Sequence, residues 1–227
     1  MKRVLVIAAH PDDEVLGCGA TISKYSRQGV KFMVLFIAEG SSCRYADPVS
    51  ADSLAAIGAR TQQAVKALAL LGVKDYLFND LPCGRLDQVP IIEINKVIEK
   101  AIRQFDPDTV LTHSAFDANN DHRIVYRATI MATRPGTQNR VDRLLSYEVL
   151  SSSEWAFGEA FAPTSFEQID EQDLNLKWQA LAAYETEVKS YPFPRSEQGV
   201  RSQAMVRGMQ AGVSLAEAFY MIREFRI

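Results

Sequence analysis

"VLVIAAHPDDEVLGCGA", residues 4–20, decides how this chain is read. Val4 to Ala9 form an unbroken apolar run, suited to a strand buried on both faces. The run stops at His10-Pro11 and meets three acids, Asp12, Asp13 and Glu14, before apolar residues resume. Pro11 locks its own φ and helps fix a turn there. Crowded carboxylates raise one another's pKa unless a positive charge intervenes. Helix capping accounts for one or two of the acids. It does not account for a histidine beside three of them, whereas a bound cation does. Imidazole with carboxylate is an ordinary zinc donor set, and catalytic zinc keeps three protein ligands and one open position.

Working outward, strand-like runs alternate with helix-like ones. Strands are expected at 3–9, 31–37, 75–78, 109–112 and 144–150, and helices at 15–28, 52–71, 91–104 and 121–132. The tail is expected to be mostly helical, at 174–189, 196–211 and 215–224. This alternation predicts an α/β fold: a Rossmann-like, mainly parallel sheet flanked by helices, with a helical C-terminal region and one domain over 1–227. Sites in such folds lie beyond the carboxyl ends of the strands. His10 to Glu14, Glu39-Gly40, Asp80, His113 and Ser151–Ser153 all fall there.

Only three histidines occur, His10, His113 and His122. The last two lie in "THSAFDANNDHR", residues 112–123, a second strand end running into a helix and rich in Asp117, Asn119 and Asp121. Two loops could therefore share one three-ligand site. Spacing does not choose between His113 and His122, nor among Asp12, Asp13 and Glu14. Gly17-Cys18-Gly19 with Glu39 imitates a dinucleotide fingerprint, but the glycines fall past the strand end and Ile22 stands where the third is needed. Close helix-to-sheet packing is their expected role.

Bulk properties narrow the classes. The chain has 227 residues, 47% of them hydrophobic, and a net charge of −3, with no basic cluster for nucleic acid. The longest apolar run, Phe32 to Ala38, falls far short of the roughly 20 residues a bilayer needs, so no membrane insertion is expected. Met1-Lys2-Arg3 before six apolar residues imitates a signal peptide but meets acids where cleavage would occur, so a cytoplasmic protein is expected. Cys18, Cys43 and Cys83 lack paired spacing, and no disulfide framework is expected.

"AHPDDEVLGCGA" at 9–20 and "DANNDHR" at 117–123 resemble the PIG-L/LmbE-like family of zinc-dependent N-deacetylases. The resemblance continues through "AEG" at 38–40, "RTQQAVKALALLG" at 60–72, "SYEV" at 146–149 and "AYETEVKSYPFPRS" at 183–196, and points to the sugar-modifying bacterial branch. It implies His10, Asp13 and His122 as zinc ligands, with Asp12 as general base and Asp121 as a supporting acid. Asn119 stands where the family usually has a histidine, which leaves Asn119 or His113 to stabilise the oxyanion or protonate the amine. Arg60 is implied to contact the sugar and Asp80 to hold a hydroxyl, while Arg44, in the loop after the second strand, could border the pocket. Tyr45, Trp155, Glu148 and Arg195 are further pocket or supporting candidates. The expected partner is a small acetylated amino sugar or its nucleotide- or lipid-linked conjugate, and the helices after residue 170 could support a homo-oligomer. Two other readings stay open: a magnesium or manganese phosphoesterase, and a non-catalytic sugar- or nucleotide-binding module.

Overall fold

The computed structural model describes residues 1–136 and 140–225. Five strands alternate with four helices: β1 (Arg3–Ala8), α1 (Asp13–Arg27), β2 (Lys31–Ala38), α2 (Ala51–Leu70), β3 (Asp75–Leu81), α3 (Ile91–Phe105), β4 (Thr109–His113), α4 (Asn120–Ala132) and β5 (Arg143–Tyr147). Beyond them lie β6 (Ser165–Gln168), α5 (Glu171–Ala182), α6 (Glu197–Ala211) and β7 (Ala216–Glu224). The sheet order is β3-β2-β1-β4-β5-β7-β6. β1 to β5 run parallel, whereas β7 lies antiparallel to both β5 and β6. The mainly parallel α/β sheet is therefore as expected, with an antiparallel extension at one edge.

Alternation along each central strand divides two cores. Val4, Val6 and Ala8 of β1 and Phe32, Val34 and Phe36 of β2 face α1, α2, α5 and α6. Leu5 and Ile7, with Met33, Leu35 and Ile37, face α3 and α4. Both sheet faces are covered, which is why these strands read as continuous apolar runs rather than alternating ones.

Two expectations are corrected. Residues 215–224, expected as helix, contain strand β7, and β6 was not anticipated. "AEAFYMIRE" has helix-forming composition, and Ala216 to Phe219 are all buried, so no alternation marks it as a strand. Pairing of Tyr147 with Phe219 and Ser146 with Tyr220 overrides local propensity. The helix expected over 174–189 ends at Ala182. Past it Tyr184 is fully buried and its hydroxyl donates to Glu14 Oε1 at 2.6 Å, a tertiary anchor that redirects the chain.

Helix α1 carries a break that the far end of the chain repairs. Cys18 has φ −147° inside it. Gly17 permits the approach to β5, since a Cβ there would lie 2.2 Å from the Tyr147 ring; the expected packing role of this glycine is met. The carbonyl and amides freed at the break find a buried ion pair. Lys177 Nζ donates to Leu16 O at 2.8 Å and to Glu217 Oε1 at 2.6 Å. Glu217 accepts the Ala20 and Thr21 amides at 3.1 and 2.7 Å. Glu217 thus caps the second half of α1 from β7.

Candidate metal and catalytic site

β1 connects outward to β2, while the chain returns past β1 to enter β4 on its other side. The crevice between the ends of β1 and β4 is the switch point where such folds bind ligands. The loop from Ala9 to Asp12 and the loop from Ser114 to Asn119 meet there.

His10, Asp13 and His122 each offer a ligand atom, all within 4.8 Å of one another and all buried. Asp13 Oδ2 lies 3.5 Å from His10 Nδ1 and 3.4 Å from His122 Nε2. The outer nitrogen of each imidazole meets another carboxylate: His10 Nε2 is 2.9 Å from Asp121 Oδ2, and His122 Nδ1 is 3.2 Å from Asp117 Oδ2. Carboxylates behind histidines are the usual way to orient imidazoles toward a metal. Both carboxylates are themselves anchored. Asp121 accepts the Gly84 and Leu86 amides at 2.6 and 3.2 Å. Asp117 accepts the hydroxyls of Ser152 and Ser153. His10, Cys83 and Asp121 form a second grouping of the same kind, but there Asp121 is already committed to backbone amides.

The donor set fits a cation. Burial alone would discharge His10, yet hydrogen bonds to Asp121 and Asp13 outweigh it and carry its pKa to about 9. Burial likewise opposes charge on His122, and Asp13 with Asp117 lifts it to about 10. The carboxylates thus demand positive charge at this spot, which protons or one divalent ion can supply.

Asp12 sits beside this centre in a strained turn, with φ 121°, a value rare for any residue but glycine. Its amide donates to Glu14 Oε2 at 2.9 Å. Its carboxylate pairs with Arg60 at 3.1 Å and Arg195 at 2.5 Å. Burial raises the Asp12 pKa, and the two guanidiniums oppose that rise. Arg60, itself buried, also donates to Pro11 O at 2.7 Å, tying α2 to the turn. Glu187, from the chain past α5, contacts Arg60, accepts Arg195 at 3.1 Å and grips both terminal nitrogens of Arg44 at 2.8 and 2.9 Å. The sequence reading missed Glu187 and Asp117 as supports. Their signals were present in "YETEVKSYPFPRS" and "DANNDH", but neither stretch says which partner it meets.

The remaining candidates are placed as follows. Asn119 caps α4, its side-chain oxygen accepting the Asp121 amide at 2.9 Å. Its amide nitrogen makes no hydrogen bond among the described residues. His113 is fully buried, its Nε2 accepting the Ala9 amide at 2.8 Å while its ring stacks on His122 with centroids 4.0 Å apart. Burial, and then the neighbouring His122, push its pKa down to about 3. Asp80 is exposed at the end of edge strand β3 with φ 50° and no ion pair among the described residues. Glu148 pairs with Arg207 at 2.5 Å. Trp155, partly exposed, meets the Phe193 ring edge-on at 6.1 Å.

Residues 5–133 match the family described as PIG-L, GlcNAc-PI de-N-acetylase. The chain belongs to this family. Among curated relatives, "Uncharacterized deacetylase YaiS" of Escherichia coli is 26% identical over 191 residues, 82% of this chain and 91% of that protein. The diacetylchitobiose deacetylase of Thermococcus kodakarensis is 26% identical over 98% of this chain and 84% of its own length. Among solved structures, N,N'-diacetylchitobiose deacetylase from Pyrococcus horikoshii superposes with a TM-score of 0.78 at 23% identity, covering 97% of this chain and 84% of that one. That likeness bears on the fold. The PIG-L chain here has a mainly parallel α/β sheet with an antiparallel edge, and no described helix is long and apolar enough to cross a membrane.

Proposed function

We propose that this PIG-L chain is a single-domain, zinc-dependent hydrolase that removes the N-acetyl group from an N-acetylamino sugar or its conjugate. The observation that carries the reading is the convergence of His10, Asp13 and His122 beside a separate carboxylate, Asp12, which two arginines hold in place. Membership of a de-N-acetylase family, and relatives named for acetylated amino sugars, support the bond and the substrate class. Two imidazoles in the donor set favour zinc or another transition metal over magnesium.

Acetamides resist hydrolysis because the carbonyl is resonance-stabilised and the amine leaves poorly. His10, Asp13 and His122 would hold a divalent cation, which would supply Lewis acidity and lower the pKa of water. Asp12 then accepts the proton of the attacking water and delivers it to the departing nitrogen. Arg60 and Arg195 fix its carboxylate and favour its ionised form at the start. The unengaged amide nitrogen of Asn119 is the donor assigned to the charge developing on the acetyl oxygen. A donor in such a role contributes about 3 kcal/mol. His113, with Nε2 occupied by the Ala9 amide and its basicity suppressed, is assigned as a packing partner of His122 and not as the acid. Arg44, the half-exposed one of the arginine group, and Asp80 are retained as substrate contacts, whereas Arg60, expected to touch the sugar, is buried with its nitrogens on Pro11, Asp12 and Glu187 and acts through Asp12.

The test is acetate release from a panel of N-acetyl sugars and their nucleotide conjugates, with and without a chelator. Release that stops on chelation and returns with zinc is the expected result. Release unaffected by complete metal removal, or phosphate esters cleaved in place of acetamides, would overturn the reading.

A further inference from the structure

We propose that Cys43 and Cys83 are a modification site: peroxide converts them to a disulfide, which loosens the carboxylate bracket behind His10. Cys43 lies in the single helical turn Ser42–Arg44 after β2, and Cys83 lies just past β3. Their sulfurs are 3.2 Å apart and both thiols are free. A disulfide bond is about 2.05 Å long, so closure asks for a movement of about 1 Å.

The approach is built into the loops. Glu39 fastens both of them: its Oε2 accepts the Ser41 and Ser42 amides at 2.6 and 2.9 Å, and its Oε1 accepts the Cys83 amide at 2.8 Å. Gly84 has φ 70°, and a Cβ there would stand 3.0 Å from Cys43 Cβ, so glycine eases this close approach of the loops. Access is unequal. Cys43 is exposed, while Cys83 is 6% exposed. The hydrogen bond from Cys83 also draws the Cys43 thiol down to about 6, in the range of reactive cysteines.

The chemistry balances with hydrogen peroxide as the oxidant. Cys43 sulfur attacks one peroxide oxygen; an S–O bond forms, the O–O bond breaks, and the first water leaves with the thiol proton. Cys83 sulfur then attacks the sulfenic sulfur; the S–S bond forms, the S–O bond breaks, and a second water carries away the Cys83 proton. Two sulfurs give up two electrons and one peroxide becomes two waters.

The consequence follows from the next residue. Gly84 N donates to Asp121 Oδ2, the same oxygen that holds His10 Nε2. Drawing Cys83 toward Cys43 pulls on that amide and therefore on the orientation of His10. This step rests on the metal site proposed above. Losing such support behind a metal-binding histidine typically lowers metal affinity about 10–100-fold.

The zinc-loaded, reduced protein is treated with hydrogen peroxide, alkylated under denaturing conditions and mapped by mass spectrometry without reduction. The expected product is a Cys43–Cys83 linked peptide lighter by two hydrogens, with Cys18 still alkylated, and reversed by dithiothreitol. Zinc affinity, measured by chelator competition on the same samples, is expected to fall at least tenfold in the oxidised protein. Cys43→Ser is expected to show neither change. Over-oxidation of Cys43 with Cys83 left free, or linkage between chains, overturns the pairing. A linked peptide with unchanged zinc affinity overturns the coupling to His10. The peptide map needs no turnover, so it stands apart from any failure to release acetate.

Discussion

Asp12→Asn is expected to lower kcat for acetate release by about a hundred- to ten-thousand-fold, the range attributed to a positioned acid or base. The substitution keeps the shape of a side chain wedged between Arg60 and Arg195. It replaces the basic carboxylate by an amide that cannot take up a proton at neutral pH, while His10, Asp13 and His122 stay intact. KM is therefore expected to change by no more than a few-fold, and bound metal to stay at the wild-type level. Steady-state kinetics with metal analysis on the same preparation reads both. A loss under tenfold would contradict the assignment, since the neighbouring carboxylates among the described residues have other partners: Asp117 and Asp121 brace histidines, and Glu14 accepts the Asp12 amide and the Tyr184 hydroxyl.

Lys177→Met is expected to cost about 3–5 kcal/mol, the loss seen when one partner of a buried ion pair is removed. Methionine replaces most of the aliphatic stem, so packing changes little. What goes is the donor to Leu16 O and the counter-charge of Glu217, which is 5% exposed. In a chain of this size that loss lowers Tm by roughly 6–20 °C. Adding Glu217→Gln to Lys177→Met should recover part of it, because the glutamine oxygen can still accept the Ala20 or Thr21 amide without a stranded charge. Thermal unfolding followed by circular dichroism decides. A shift below 2 °C would mean that the break in α1 is held by packing of Gly17 against Tyr147 alone.

Local information made much of this legible from the sequence. "HPDDE" and "NDHR" each place a ligand and its neighbours within one turn, so the chemistry of the two loops shows in their composition. The strand runs β1 and β2 were equally plain, because covering both faces of a sheet demands unbroken apolar residues. Long-range pairing was not legible. Glu187 and Arg195 reach Asp12 and Arg60 from the tail, and nothing in "YETEVKSYPFPRS" encodes that meeting. His113 shows the same limit: spacing offered it as a ligand, and only the fold shows its Nε2 spent on the Ala9 amide. The alanine, glutamate, methionine and arginine of β7 favour a helix, and its strand state depends on an edge of β5 that a sequence window does not contain.

We propose that His10, Asp13 and His122 hold one catalytic cation. Metal content after gel filtration in metal-free buffer tests it most directly, comparing wild type, Asp12→Asn and Asp13→Ala by plasma mass spectrometry. About one zinc per chain is expected in the first two, for a three-ligand site with an open position, and less than a tenth of that in Asp13→Ala. Full zinc in Asp13→Ala together with wild-type turnover would contradict it.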